Sequence, residues 1–102
     1  MSDERLVLHG SFTSSSSYKP MLFLTLAGLP FSFRTVNLKN GVQKEPAHLA
    51  LNRYGQVPVL RHRGLTIVMS NVVLDYLART TGHFEPKTEQ QRWQAREWLA
   101  WE

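Results

Sequence analysis

The chain has 102 residues, 42% of them hydrophobic, and a formal net charge of +4, the size and composition of one domain with a modest core. It contains no cysteine, which excludes disulfide staples, thiolate metal sites and Cys-x-x-Cys redox chemistry. No apolar run approaches the ~20 residues that cross a bilayer, and the charged start Met1-Ser2-Asp3-Glu4-Arg5 lacks the order and length of a signal peptide, so a cytoplasmic setting without membrane contact is expected.

Leu6-Val7-Leu8-His9 reads as a short buried strand that Gly10 ends. A serine-rich loop, Ser11 to Ser17, follows, and serines are good helix caps. Tyr18 to Ala27 is apolar almost all round, as a buried helix is, with Pro20 tolerable only near its start. Gly28 and Pro30 stop it. Phe31 to Leu38 alternates with period two and reads as a strand. Asn40-Gly41 marks a loop, and Pro46 to Leu51 is long enough for a short helix. Val57-Pro58-Val59-Leu60 and Leu65-Thr66-Ile67-Val68 form a hairpin across a polar turn, Arg61 to Gly64. Ser70 caps a helix from about Asn71 to Thr81, stopped by Gly82. After a linker containing Pro86, Thr88 with Glu89 and Gln91 opens a last helix bearing Trp93, Trp98, Leu99 and Trp101.

The resulting order is βαβ followed by ββα. It predicts an α/β, thioredoxin-like domain with a mixed four-stranded sheet, since a strand–helix–strand unit is parallel and a tight hairpin antiparallel. On the last helix the three tryptophans fall within about 140° of arc, with Leu99 on the far side, a pattern that suits packing on two sides.

Charge is unevenly spread. Between Arg5 and Leu74 there are eight Lys or Arg and one acid, Glu45, which suits an anionic ligand. The basic residues are spaced singly, with no aromatic-basic motif, so nucleic acid is not expected. His9, His48, His62 and His83 show no i, i+4 pair or zinc-like spacing, so no metal is expected.

The string Asn37-Leu38-Lys39-Asn40-Gly41-Val42-Gln43-Lys44-Glu45-Pro46, continued by Leu51-Asn52-Arg53-Tyr54-Gly55-Gln56-Val57-Pro58-Val59-Leu60, resembles the glutathione transferase family. The resemblance covers nearly the whole chain. It implies a glutathione-binding domain over residues 1–82, then a linker and the first helix of an all-α domain over 83–102, with the rest of that domain beyond the chain. It also implies a two-fold homodimer and a role in detoxification.

The same resemblance implies the site. Pro58 follows a cis bond that turns the Val57 backbone toward an extended peptide ligand, as in strand addition. Gln43, Lys44 and Gln56 match positions that hold the glycine carboxylate of glutathione. Ser70, at a helix start, suits the γ-glutamyl carboxylate. Ser14-Ser15-Ser16-Ser17-Tyr18-Lys19-Pro20 resembles the serine-type catalytic loop, with Ser14 as donor to the glutathione sulfur and Ser11 or Ser15 as alternatives. The thiolate so stabilised attacks a small electrophile. One departure bears on the ligand: Met69 stands where the family usually has a glutamate, and methionine cannot accept the ligand ammonium. That residue favours the competing reading, a non-catalytic transferase-like binding or scaffold module.

Overall fold

The computed structural model describes residues 5–100. Its elements are β1 (Leu6–Gly10), α1 (Ser15–Leu26), β2 (Phe31–Thr35), α2 (Pro46–Leu51), β3 (Val59–His62), β4 (Leu65–Val68), α3 (Ser70–Thr81) and α4 (Glu89–Ala100). The strands lie in the order β2-β1-β3-β4. β1 runs parallel to β2 and antiparallel to β3, and β3 is antiparallel to β4. This is the mixed four-stranded sheet of the βαβ-ββα order.

Strand alternation sends Leu6 and Leu8 of β1 and Leu60 of β3 to one face, where Leu24 of α1 and Val73 and Leu77 of α3 meet them. Val73 and Leu77 are four apart and so stand on one side of α3. All but Leu6 are completely buried. Burial of that kind contributes on the order of 1.5–3 kcal/mol per side chain. The end of α1 is closed by two bonds, Leu29 N–H to the Leu24 carbonyl and Gly28 N–H to the Thr25 carbonyl, the paired pattern that satisfies the last free carbonyls of a helix. No helix among the described residues is long and apolar enough to cross a membrane.

Four boundaries differ from the sequence expectation. α1 begins at Ser15 rather than Tyr18 because Ser14 takes the cap position: its Oγ accepts from Ser17 N–H at 3.2 Å. Pro20 therefore sits in the second turn, fully buried, and supplies no N–H to the Ser16 carbonyl. β2 stops at Thr35, although the alternating pattern runs on to Leu38, because its neighbour β1 ends at Gly10, and the Val36 N–H to Gly10 carbonyl bond closes the ladder. The hairpin turn is only Arg63-Gly64, both at positive φ, as a two-residue turn of the primed type requires. Arg61 and His62 belong to β3, and His62 is 6% exposed with its Nδ1 2.7 Å from the Tyr76 hydroxyl. A polar pair is not a turn when one member has a buried partner.

The fourth correction concerns Ser70. It is the first residue of α3, and Met69 holds the cap position.

α4 leaves Trp93 and Trp98 65% and 76% exposed. The helix meets α3 through Leu99, whose carbonyl accepts from Asn71 Nδ2. Trp101 lies outside the described residues. A cleft of about 450 Å³ between α4 and the α1–α3 layer is lined by Phe23, Leu74, Phe84, Trp98 and Leu99, among others.

Candidate ligand-binding site

The register of the sheet brings three loops to one end. His9 pairs with Val59, and Val59 pairs with Val68. The chain leaving β1 (Ser11–Ser14), the chain entering β3 (Gln56–Pro58) and the chain leaving β4 (Met69–Ser70) therefore converge. The sequence-predicted residues Ser14, Gln56, Val57, Pro58 and Ser70 come from these three loops.

The serine loop is differentiated in a way composition does not show. Ser17 is fully buried, and its Oγ accepts from Ser11 N–H at 3.1 Å. That contact requires glycine at position 10, where a Cβ would lie 2.8 Å from Ser17 Oγ. Ser11 is 8% exposed, and its hydroxyl pairs with that of Thr13 at 2.8 Å. Ser15 is exposed in the first turn. Ser14 is half-buried and uses its oxygen as acceptor, which leaves its O–H hydrogen for another partner.

The Gln43–Lys44 turn is joined to the β3 entrance at Gly55. A Cβ there would lie 2.8 Å from Lys44 Nζ and 3.2 Å from the Gln43 carbonyl, and φ is +63°. Glycine takes this backbone without strain and leaves room for the Lys44 side chain. Lys44 Nζ donates to the Tyr54 carbonyl at 3.4 Å, and Gln43 Oε1 is buried without a partner among the described residues. Gln43, Lys44 and Gln56 are thus brought together.

Two residues that sequence reasoning passed over hold this loop. His48 Nε2 lies 2.8 Å from the Gln56 carbonyl, and Asn52 Nδ2 donates to the same oxygen at 3.1 Å. Asn52 Oδ1 also accepts from Tyr54 N–H at 3.0 Å. Both side chains are buried, at 5% and 4% exposure. No sequence pattern marks them as a pair: His48 lies on α2, whereas Asn52 follows its end in an extended conformation, at φ −143°. Beyond them, the Val57–Pro58 bond is cis. The Val57 N–H and C=O make no hydrogen bond among the described residues.

Met69 lies at φ +74°, ψ +124° and is 62% exposed. A side chain on such a backbone costs on the order of 1–3 kcal/mol, and little packing is returned. Met69→Gly should therefore raise stability by about 1 kcal/mol, read by chemical denaturation. A loss of stability would mean that the methionine side chain holds the turn. The conformation delivers the chain from β4 into the amide-rich start of α3, where Ser70 is 8% exposed. The first-turn N–H groups of any helix lack intrahelical partners and favour an anion.

The glutathione S-transferase N-terminal domain family matches residues 4–79 of the chain. A glutathione S-transferase of Silene vulgaris is 33% identical over 76 residues, covering 74% of this chain and 35% of that protein. The crystal structure of a possible glutathione S-transferase from Rhodopseudomonas palustris superposes with a TM-score of 0.84 at 35% identity, covering 91% of this chain and 51% of that one. A glutathione transferase homologue of Drosophila mojavensis, solved with bound glutathione, superposes with a TM-score of 0.75 at 28% identity over 78% of this chain and 36% of that one. The chain spans little more than a third of the length of the curated relatives it matches.

Proposed function

Because the chain belongs to the glutathione S-transferase N-terminal domain family, we propose that it binds glutathione in the cleft where the three loops converge and activates the thiol for transfer to an electrophile. The observation that carries this reading is the free Val57 peptide edge beside the start of α3. An extended tripeptide can pair with that edge through its own backbone, and a carboxylate can settle on the α3 amides and Ser70. Gln43, Lys44 and Gln56 supply amide and ammonium donors for the second carboxylate. Support comes also from the glutathione-bound homologue of the same fold.

In this mechanism the Ser14 O–H donates to the glutathione sulfur. A donor favours thiolate over thiol. The thiolate then forms a carbon–sulfur bond to a small electrophile, whose leaving group departs with the bonding electron pair. Residues 1–82 form the glutathione-binding unit, and 83–102 are a linker and the first helix of a second, helical unit. A cytoplasmic homodimer acting in detoxification completes the proposal. Exposed Val72, Trp93 and Trp98 supply apolar surface for association. A clean monomer in sedimentation at micromolar concentration removes the dimer.

Met69 favours a second reading, a binding module without catalysis, because no carboxylate stands at that position to receive the ligand ammonium. Calorimetry separates the two. Glutathione should bind weakly, and Met69→Glu should tighten it about ten- to a hundredfold, the worth of one charged hydrogen bond. If glutathione fails to bind either form, the module reading stands. If it binds both forms equally, Met69 does not face the ammonium.

A further inference from the structure

The sheet face opposite the core carries an unneutralised basic cluster. His9 on β1 pairs in register with Arg34 on β2, and Arg61 on β3 lies two pairs along, opposite Val7. Alternation places Val7, His9, Arg34, Val59 and Arg61 on this face, because Leu6, Leu8 and Leu60 point the other way into the core. No carboxylate pairs with Arg34 or Arg61 among the described residues. The Arg61 Nε is buried and has no hydrogen-bond partner among the described residues. A buried guanidinium donor without an acceptor is unusual in a folded protein and calls for a missing partner. The electrostatics agree with the geometry. The His9 imidazole is pushed below its ordinary range by burial first, then by His48 of α2, Arg34 and Arg61.

We propose that His9, Arg34 and Arg61 form a binding site for a tetrahedral oxyanion of the phosphate class. Two guanidinium forks match the charge and the oxygen geometry of a phosphate dianion. The imidazole between them gains a proton as the anion arrives, because a nearby negative charge favours its charged form. The site stands on the broad face of the sheet, whereas the glutathione cleft lies at the end of the strands, and it does not depend on the glutathione reading.

The test follows the His9 imidazole by NMR while inorganic phosphate is added, with sodium chloride at equal ionic strength as control. Phosphate should raise the His9 pKa, and chloride should not. Arg34→Gln and Arg61→Lys should each weaken phosphate binding about tenfold or more. Arg34 is exposed, so its replacement leaves the fold intact, and lysine at 61 keeps the charge while removing the Nε donor. A phosphomonoester that binds more tightly than inorganic phosphate identifies a phosphorylated metabolite as the ligand. Equal or weaker binding identifies the free ion. The same response to phosphate and chloride, phosphate affinity unchanged in both variants, or displacement of phosphate by glutathione overturns the site.

Discussion

Asn52→Ala should lower stability by about 1–3 kcal/mol, from two lost hydrogen bonds and the space left by a buried side chain. For a domain of this size that is a fall in Tm of roughly 4–8 °C for each kcal/mol. The Tyr54 N–H loses its acceptor, and the Gln56 carbonyl keeps only His48. The bond to His48 makes a second part of the result specific. Asn52→Ala and His48→Ala should be non-additive by about 0.5 kcal/mol or more, because the Gln56 carbonyl loses its last partner only in the double variant. Thermal unfolding of the four forms gives the cycle. A loss below about 0.5 kcal/mol for Asn52→Ala, within the range of an ordinary surface substitution, would show that the loop is held by something else.

Ser14→Ala carries two separable consequences. The first is loss of the α1 cap, at about 1 kcal/mol. The second is loss of the donor to the glutathione sulfur, which should raise the pKa of the bound thiol by roughly one to two units. At neutral pH the thiolate fraction then falls by about ten- to a hundredfold. Ser14→Asp distinguishes the two. An aspartate caps as well as serine does, but an ionised carboxylate has no hydrogen to give. Its stability should match that of the parent while its bound thiol titrates higher still. Ultraviolet absorbance of the thiolate, followed across pH with glutathione saturating, reads the effect. An unchanged titration would remove Ser14 from the mechanism and move the role to Ser11 or Ser15, of which Ser15 is the exposed one.

The order of elements was legible because each strand and helix carries its own period and its own stop. Gly28 and Gly82 mark helix ends wherever the chain is placed. Boundaries were missed where a side-chain bond overrode the apolar pattern. Ser14 caps α1 four residues ahead of the apolar run, and His62 stays in β3 because Tyr76 reaches it. The site was legible as a string of residues but not as an arrangement. The sequence places Gln43, Lys44 and Gln56 thirteen positions apart at most, and they meet through the close approach at Gly55 and the His48 and Asn52 bonds to the Gln56 carbonyl. His48 and Asn52 were passed over because a polar residue on a short helix, or just past its end, ordinarily faces solvent. Their burial became visible only when the Gln56 carbonyl lay between them.

The central claim is that glutathione lies along the Val57 edge with a carboxylate on α3. Backbone amide NMR during a glutathione titration tests it residue by residue. Saturable shifts should concentrate at Gln56, Val57, Ser70 and Asn71, with smaller ones at Gln43, Lys44 and the Ser14–Ser15 turn. No saturable shift, or shifts centred on α4 and the Trp98 cleft with Val57 and Ser70 unmoved, would contradict the account.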